Sequence, residues 1–303
     1  MLNKLWVEAY RPQTLAEVIL ASDHERVTFQ AMVDSGSMPN LLLLGHQGTG
    51  KSSMSRALMH EFRVDSTDVL KINCSDEKID AMRDKVKTFA YTMPMGEFRV
   101  VRLEEMDNLS QDAQKLLRVL IEEVSSSCRF VATGNYANRI IPALKDRFQS
   151  YVFATPNREH VLVRAAEILE KEGITFELDD LEKVVEAGYP SIRQVIQLLE
   201  KSSRTGTLMI RGAEAISDWK LQLLPLLEAS DLRGARKLVC ESATREELQD
   251  VYRFLYENTH RVPKLKGKED QAVVTIAQYQ YQHGFVADQE IQVAAMFIEL
   301  GAL

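Results

Sequence analysis

Leu41-Leu42-Leu43-Leu44 is an uninterrupted apolar run, the pattern of a strand buried on both faces. Similar short runs recur at 69–72, 98–103, 130–133 and 151–153. Amphipathic stretches separate them, as where Met54, Ala57, Leu58, Met59 and Phe62 fall at helical spacing. Strand alternating with helix over residues 1–153 predicts an α/β domain built on a parallel sheet. Beyond Asn157 the strand pattern stops. Helices are predicted at about 157–172, 178–187 and 191–203, the first capped by Asn157, so that 154–212 reads as a small helical lid domain. Past Ser202-Ser203-Arg204-Thr205-Gly206-Thr207, helical periodicity returns, clearest at 246–256, and 213–303 reads as a third, all-helical domain.

Composition narrows the class without naming a function. The chain has 303 residues, 45% hydrophobic and 27% charged, enough for two or three globular domains. A net charge of −7 argues against wholesale nucleic-acid coating but leaves room for a local basic face. No apolar run approaches the ~18 residues of a membrane span. Glu8 stands where a signal peptide would stay apolar, so a cytoplasmic protein with no membrane partner is expected. Cys74, Cys128 and Cys240 form no paired spacing and read as reduced fillers, with no zinc site expected. The basic stretch Lys264-Leu265-Lys266-Gly267-Lys268 reads as a solvated turn.

Chemistry enters directly after the leucine run, at Gly45-His46-Gln47-Gly48-Thr49-Gly50-Lys51-Ser52. In a G-x-x-x-x-G-K-S loop the glycines let successive N–H groups turn inward onto phosphate oxygens. Lys51 then reaches the β/γ-phosphates, Ser52 offers a hydroxyl to Mg²⁺, and the following helix, continuing through Ser53, adds its positive end. ATP and Mg²⁺ are the expected ligands. Further on, the 98–103 run leads into Glu104, Glu105 and Asp107. Hydrolysis needs one carboxylate to hold the ion through water and another to deprotonate the attacking water; Glu104 suits the first role and Glu105 the second. Period two puts Arg102 on the face of Glu104, where it either pairs with that carboxylate or lies near a nucleic-acid face. Residues 78–102 hold six basic side chains against three acidic ones. Arg83 and Lys87 stand one helical turn apart, as phosphate contacts or as a solvated helix face.

A resemblance organises these pieces. Trp6-Val7-Glu8-Ala9-Tyr10-Arg11-Pro12-Gln13-Thr14-Leu15, the phosphate loop, Glu104-Glu105-Met106-Asp107, Thr133-Gly134-Asn135-Tyr136, Asp146-Arg147-Phe148 and Pro190-Ser191-Ile192-Arg193 occur in the order found in AAA+ clamp-loader subunits. The chain resembles the replication factor C small subunits in particular. Having no four-cysteine module, it is most similar to the large, ATP-hydrolysing subunit of T-even-type bacteriophage loaders, which would put it in a host cytoplasm. The resemblance implies an adenine-side wall of Tyr10, Arg11, Pro12 and Ile19. It makes Asn135 a sensor of the γ-phosphate or the attacking water, Arg193 a sensor on the lid, and Arg147 a finger acting on a neighbouring subunit. It also implies DNA contacts at Arg83, Lys87 and Arg118, a relay to the ATPase site at Gln114, and a collar in the last domain. The implied partners are companion subunits in a pentamer with a distinct small subunit, a ring-shaped sliding clamp and primer–template DNA. Three departures stand out: Glu104 replaces the family's aspartate, Arg102 interrupts an apolar strand, and the arginine of a Ser-Arg-Cys motif is flanked here by Asp146 and Phe148. Two rivals remain open: a subunit that binds ATP without hydrolysing it, and another AAA+ DNA motor such as a branch-migration helicase or helicase loader.

Overall fold

The computed structural model describes residues 5–75, 79–208, 219–244 and 247–303. The chain packs as two compact units, Met1–Ile168 with Tyr189–Gln197, and Leu169–Gly188 with Leu198–Leu303. In chain order the strands are β1 (Leu41–Gly45), β2 (Val69–Asn73), β3 (Arg99–Glu104), β4 (Cys128–Gly134) and β5 (Gln149–Phe153). They form one parallel sheet in the order β2-β3-β4-β1-β5. Helices α1 (Trp6–Ala9), α2 (Asp23–Asp34), α3 (Lys51–Glu61), α4 (Ile79–Tyr91), α5 (Gln111–Glu123) and α6 (Pro142–Lys145) belong to this unit.

The leucine run behaves as expected of a strand covered on both sides. Leu42 and Leu44 join Val101, Leu103, Phe130 and Ala132 in a core shared with Val86 of α4 and Leu117 of α5. Leu41 and Leu43 face the other way, with Val100 and Val131, onto Met54 and Leu58 of α3 and Phe29 of α2. Each face buries a separate cluster, and an alternating strand could not have served both. Because β1 lies between β4 and β5, the carboxyl ends of the strands open at a point where chain connections diverge, the usual place for a ligand crevice in such sheets.

Helices α7 (Arg158–Lys171), α8 (Leu178–Gly188) and α9 (Ile192–Ser202) follow near the predicted spans. In the packing, the Tyr189–Gln197 segment belongs to the unit of the sheet. The expected boundary at 212 lies outside the described residues. The 202–207 stretch is tied down, for Thr175 donates to the Gly206 carbonyl and Leu208 donates to that of Thr175. The second unit continues with α10 (Trp219–Glu228), α11 (Leu232–Ser242), α12 (Leu248–Asn258), α13 (Glu269–Gln282) and α14 (Gln289–Ala302). Its interior is built on Trp219 set edge-on to Phe254, and on buried Tyr252, Met296 and Phe297. The periodic segment expected at 246–256 is α12, with its first residue outside the described set.

Candidate nucleotide site

The loop leaving β1 is shaped by close approaches. A Cβ on Gly45 would lie 2.6 Å from the Phe153 carbonyl oxygen of β5, and one on Gly48 would lie 2.0 Å from Ser191 Oγ. Both residues have positive φ, so glycine is required twice over. The Thr49 hydroxyl donates to the His46 carbonyl at 2.8 Å and closes the turn. Lys51 starts α3 with 8% of its surface exposed, and its ammonium donates to the carbonyls of Gly45 (2.8 Å) and His46 (2.6 Å). Burial lowers its pKa to about 8, against the opposing pull of Asp107 and with a further push from Arg193. A desolvated ammonium whose hydrogen-bond partners among the described residues are backbone carbonyls is poised for an anion.

One cavity in the first unit collects most of the predicted binding residues. Tyr10, Arg11, Pro12 and Ile19 form one wall, Gln47, Gly48, Gly50, Lys51, Ser52 and Ser53 the floor, and Glu105, Asn135 and Arg193 the remaining sides. Gly45, His46 and Thr49 do not line it; their part is to hold Lys51 and close the turn. Val7, Thr133, Arg164 and Ile196 line it without having been expected. Arg164 reaches the Tyr10 carbonyl at 3.5 Å from α7, a helix position that no motif spacing marks. The lid side is joined directly to the loop, since the Ile192 N–H donates to the Gly48 carbonyl at 3.1 Å.

The three carboxylates after β3 diverge. Glu105 has a left-handed backbone, φ 57°, which is uncommon for a side chain of its size and aims it away from the strand. Its Oε2 accepts from Ser75 Oγ at 2.5 Å and from Asn108 Nδ2 at 3.1 Å, while Asn108 also donates to Ser75 Oγ at 2.8 Å. Glu104 is not on the cavity wall. Its carboxylate is shared between Arg102 Nη2 (3.3 Å) and Lys71 Nζ (3.0 Å), so of the two open readings of Arg102 the pairing is the one found. Asp107, given no role from the sequence, is buried; its Oδ2 accepts the N–H groups of Asn135 (3.1 Å) and Tyr136 (3.0 Å) and so fixes the end of β4. Its Oδ1 has no hydrogen-bond partner among the described residues.

Other predicted residues lie elsewhere. Arg147 precedes β5 at the amino end of the sheet, its carbonyl held by Asn40 Nδ2 at 3.2 Å and its guanidinium on Glu122. Since Leu41 pairs with Gln149 and Gly45 with Phe153, the phosphate loop lies at the opposite end. Lys87 pairs with Glu123 at 2.8 Å, and Arg83 lowers the same carboxyl's pKa after Lys87, so the basic pair on α4 is partly neutralised. Arg118 is half-buried on α5. Gln114 is buried, donating to the carbonyls of Leu109 and Arg139 and accepting from the Ile141 N–H at 2.8 Å, which ties α5 to the segment after β4.

Comparison with known proteins accords with this geometry. The model of the ATPase family associated with various cellular activities (AAA) matches residues 41–156. The chain carries an AAA domain. A replication factor C small subunit of Methanococcus maripaludis is 37% identical over 67% of this chain and 65% of its own length, so the matched stretch spans under two thirds of that relative. Replication factor C small subunit 1 of Pyrobaculum arsenaticum is 29% identical over 100% of this chain and 96% of its own length. The RuvB Holliday junction branch migration motor of Thermotoga maritima superimposes with a TM-score of 0.58 at 15% identity, covering 84% of this chain and 81% of its own, a likeness of AAA+ fold alone. The AAA domain implies a bound nucleotide with its metal ion, and the residues fit them. The loop is a cradle that a Cβ would fill, and Ser52 presents the hard oxygen donor that Mg²⁺ prefers. No group of three or more His, Cys, Asp or Glu is placed to hold a metal among the described residues. No described helix is long and apolar enough to cross a membrane.

Proposed function

We propose that this chain is an ATP-hydrolysing clamp-loader subunit, which with companion subunits opens a ring-shaped sliding clamp, closes it around primer–template DNA and releases it on hydrolysis. The observation that carries this reading is the single cavity that gathers Lys51, Ser52, Glu105, Asn135 and Arg193 while Arg147 stands at the far end of the same sheet. Lys51 neutralises phosphate charge, Ser52 would hold Mg²⁺ directly and Glu104, from behind the cavity wall, through water, and Glu105 takes the proton of the attacking water. Asn135, fixed by Asp107, orients that water, and Arg193 carries the lid side onto the nucleotide. Arg147 serves a neighbour's site, which makes turnover report on assembly. Arg83, Lys87 and Arg118 contact the DNA backbone, and Gln114 relays that contact to the ATPase site. The assembly is a pentamer with a distinct small subunit, of the T-even bacteriophage type, working in a host cytoplasm.

A second reading has its own observation. Glu105 is engaged by Ser75 and Asn108, and Glu104 by Arg102 and Lys71, which suits a subunit that binds ATP and holds it. ATPase measured alone, with primed DNA, and with primed DNA plus the clamp and companion subunits separates the two. Turnover rising with DNA and clamp supports the first. Tight nucleotide binding without turnover in the full assembly defeats it.

A further inference from the structure

Arg102 stands where this sheet has least room for a charge. It lies in a central strand, paired with Lys71 of β2 and Val131 of β4, and the residue is 7% exposed, its side chain on the face toward α3. A guanidinium there is tolerable only if its donors are met. Nε donates to Ser55 Oγ at 2.9 Å, and Nη2 donates to the Ser52 carbonyl at 3.4 Å and to Glu104 Oε1 at 3.3 Å. Desolvation works against its charge, the neighbouring Glu104 carboxylate offsets this, and Arg56 and Arg11 add to the strain. The other Glu104 oxygen faces Lys71. One side chain therefore joins the first turns of α3 to the end of β3 and, through Glu104, to β2. Aspartate at 104 would be one methylene shorter, and the Arg102 contact is already long; the shorter carboxylate would leave a buried guanidinium without its counter-charge.

We infer that Arg102 is a positioning residue of the nucleotide site: it ties Glu104 to the start of α3 and sets where that carboxylate stands relative to Ser52, so that Arg102 and Glu104 form a matched pair and neither can be replaced alone. The inference rests on the nucleotide reading above and deepens it.

The test is a double-mutant cycle on the full chain with Arg102→Met, Glu104→Asp and both together, plus Ser55→Ala as a mild probe. Affinity for a fluorescent ADP is titrated with Mg²⁺ and with EDTA, kcat and KM for ATP are separated, and thermal melting checks folding. Arg102→Met and Glu104→Asp are each expected to lower the ratio of Mg²⁺ to EDTA affinity about tenfold or more, as lost support around a metal site commonly does. The double substitution should recover to within about threefold of the starting chain, and Ser55→Ala should lose about threefold. Single effects that simply multiply in the double, or Glu104→Asp binding as well as the starting chain, overturn the pairing. If Arg102→Met does not melt cooperatively, Glu104→Asp with and without Ser55→Ala decides. A starting chain whose ADP affinity ignores Mg²⁺ overturns the pairing, and one that binds no nucleotide defeats the nucleotide reading itself.

Discussion

At the carboxyl end of the sheet Lys51 is enclosed and held by backbone carbonyls, whereas at the amino end Arg147 stands 40% exposed with its guanidinium on Glu122. Both are cations, yet they are paired in opposite ways. Among the described residues Lys51 is buried without a carboxylate in contact, so on the proposed reading an incoming phosphate completes it. Arg147 has an inexpensive partner in solvent, worth at most about 1 kcal/mol, and can leave it for another chain. On the proposed reading the enclosed cation serves the chain's own site and the exposed one a neighbour's.

The largest expected effect comes from removing the enclosed cation. Lys51→Ala should abolish turnover and weaken ATP binding by about a hundredfold or more, since no nearby group replaces the ammonium against the phosphates. Normal turnover in a steady-state assay would end the comparison at once. Glu105→Gln should keep ATP affinity and slow hydrolysis by about 10²–10⁴, because the amide cannot take the water's proton; equal loss of both would make the residue structural. Arg147→Ala should spare nucleotide affinity and remove about 10³ of turnover in the assembled complex. Mixing it with Lys51→Ala chains should restore part of that activity, since some interfaces then pair an intact Lys51 with an intact Arg147. Assembly without recovery would return Arg147 to a local role with Glu122.

The comparison sharpens with pH. Only the ammonium form of Lys51 attracts phosphate, and its pKa in the free site is about 8. Nucleotide binding stabilises that form and raises the pKa, so affinity should be flat below about 8. Above it, affinity should fall by up to about tenfold per pH unit until the bound pKa is reached. Lys51→Arg should lose this dependence, as measured by titrations at pH 7 to 10 in buffers of equal ionic strength. The smallest expected effect lies on α4. Reversing the charge of Arg83 and Lys87 together should weaken primed-DNA binding and reduce the salt slope by about two, with basal ATPase intact. Because Lys87 is already paired with Glu123, the Lys87 share should be the lesser one, and unchanged anisotropy titrations would leave both as a solvated face.

Much of this was determined by the sequence itself. The doubly buried β1 run, the strand and helix alternation, the G-x-x-x-x-G-K-S spacing and the carboxylates after β3 are local patterns, and local backbone geometry follows from them. What only the tertiary structure decided are contacts between residues far apart in the chain. Asp107 fixing Asn135 and Tyr136, Gln114 bridging to Arg139 and Ile141, Arg164 reaching Tyr10, and Ser191 seated on Gly48 carry no spacing signal. Side-chain burial belongs to the same class. From spacing alone Glu104 and Glu105 were adjacent carboxylates at the end of one strand, and Arg102 could have paired with Glu104 or lain near a nucleic-acid face. Packing put Arg102 under α3, drew Glu104 to Arg102 and Lys71, and turned Glu105 the other way through its left-handed backbone, because desolvation and partner geometry are properties of the assembled fold.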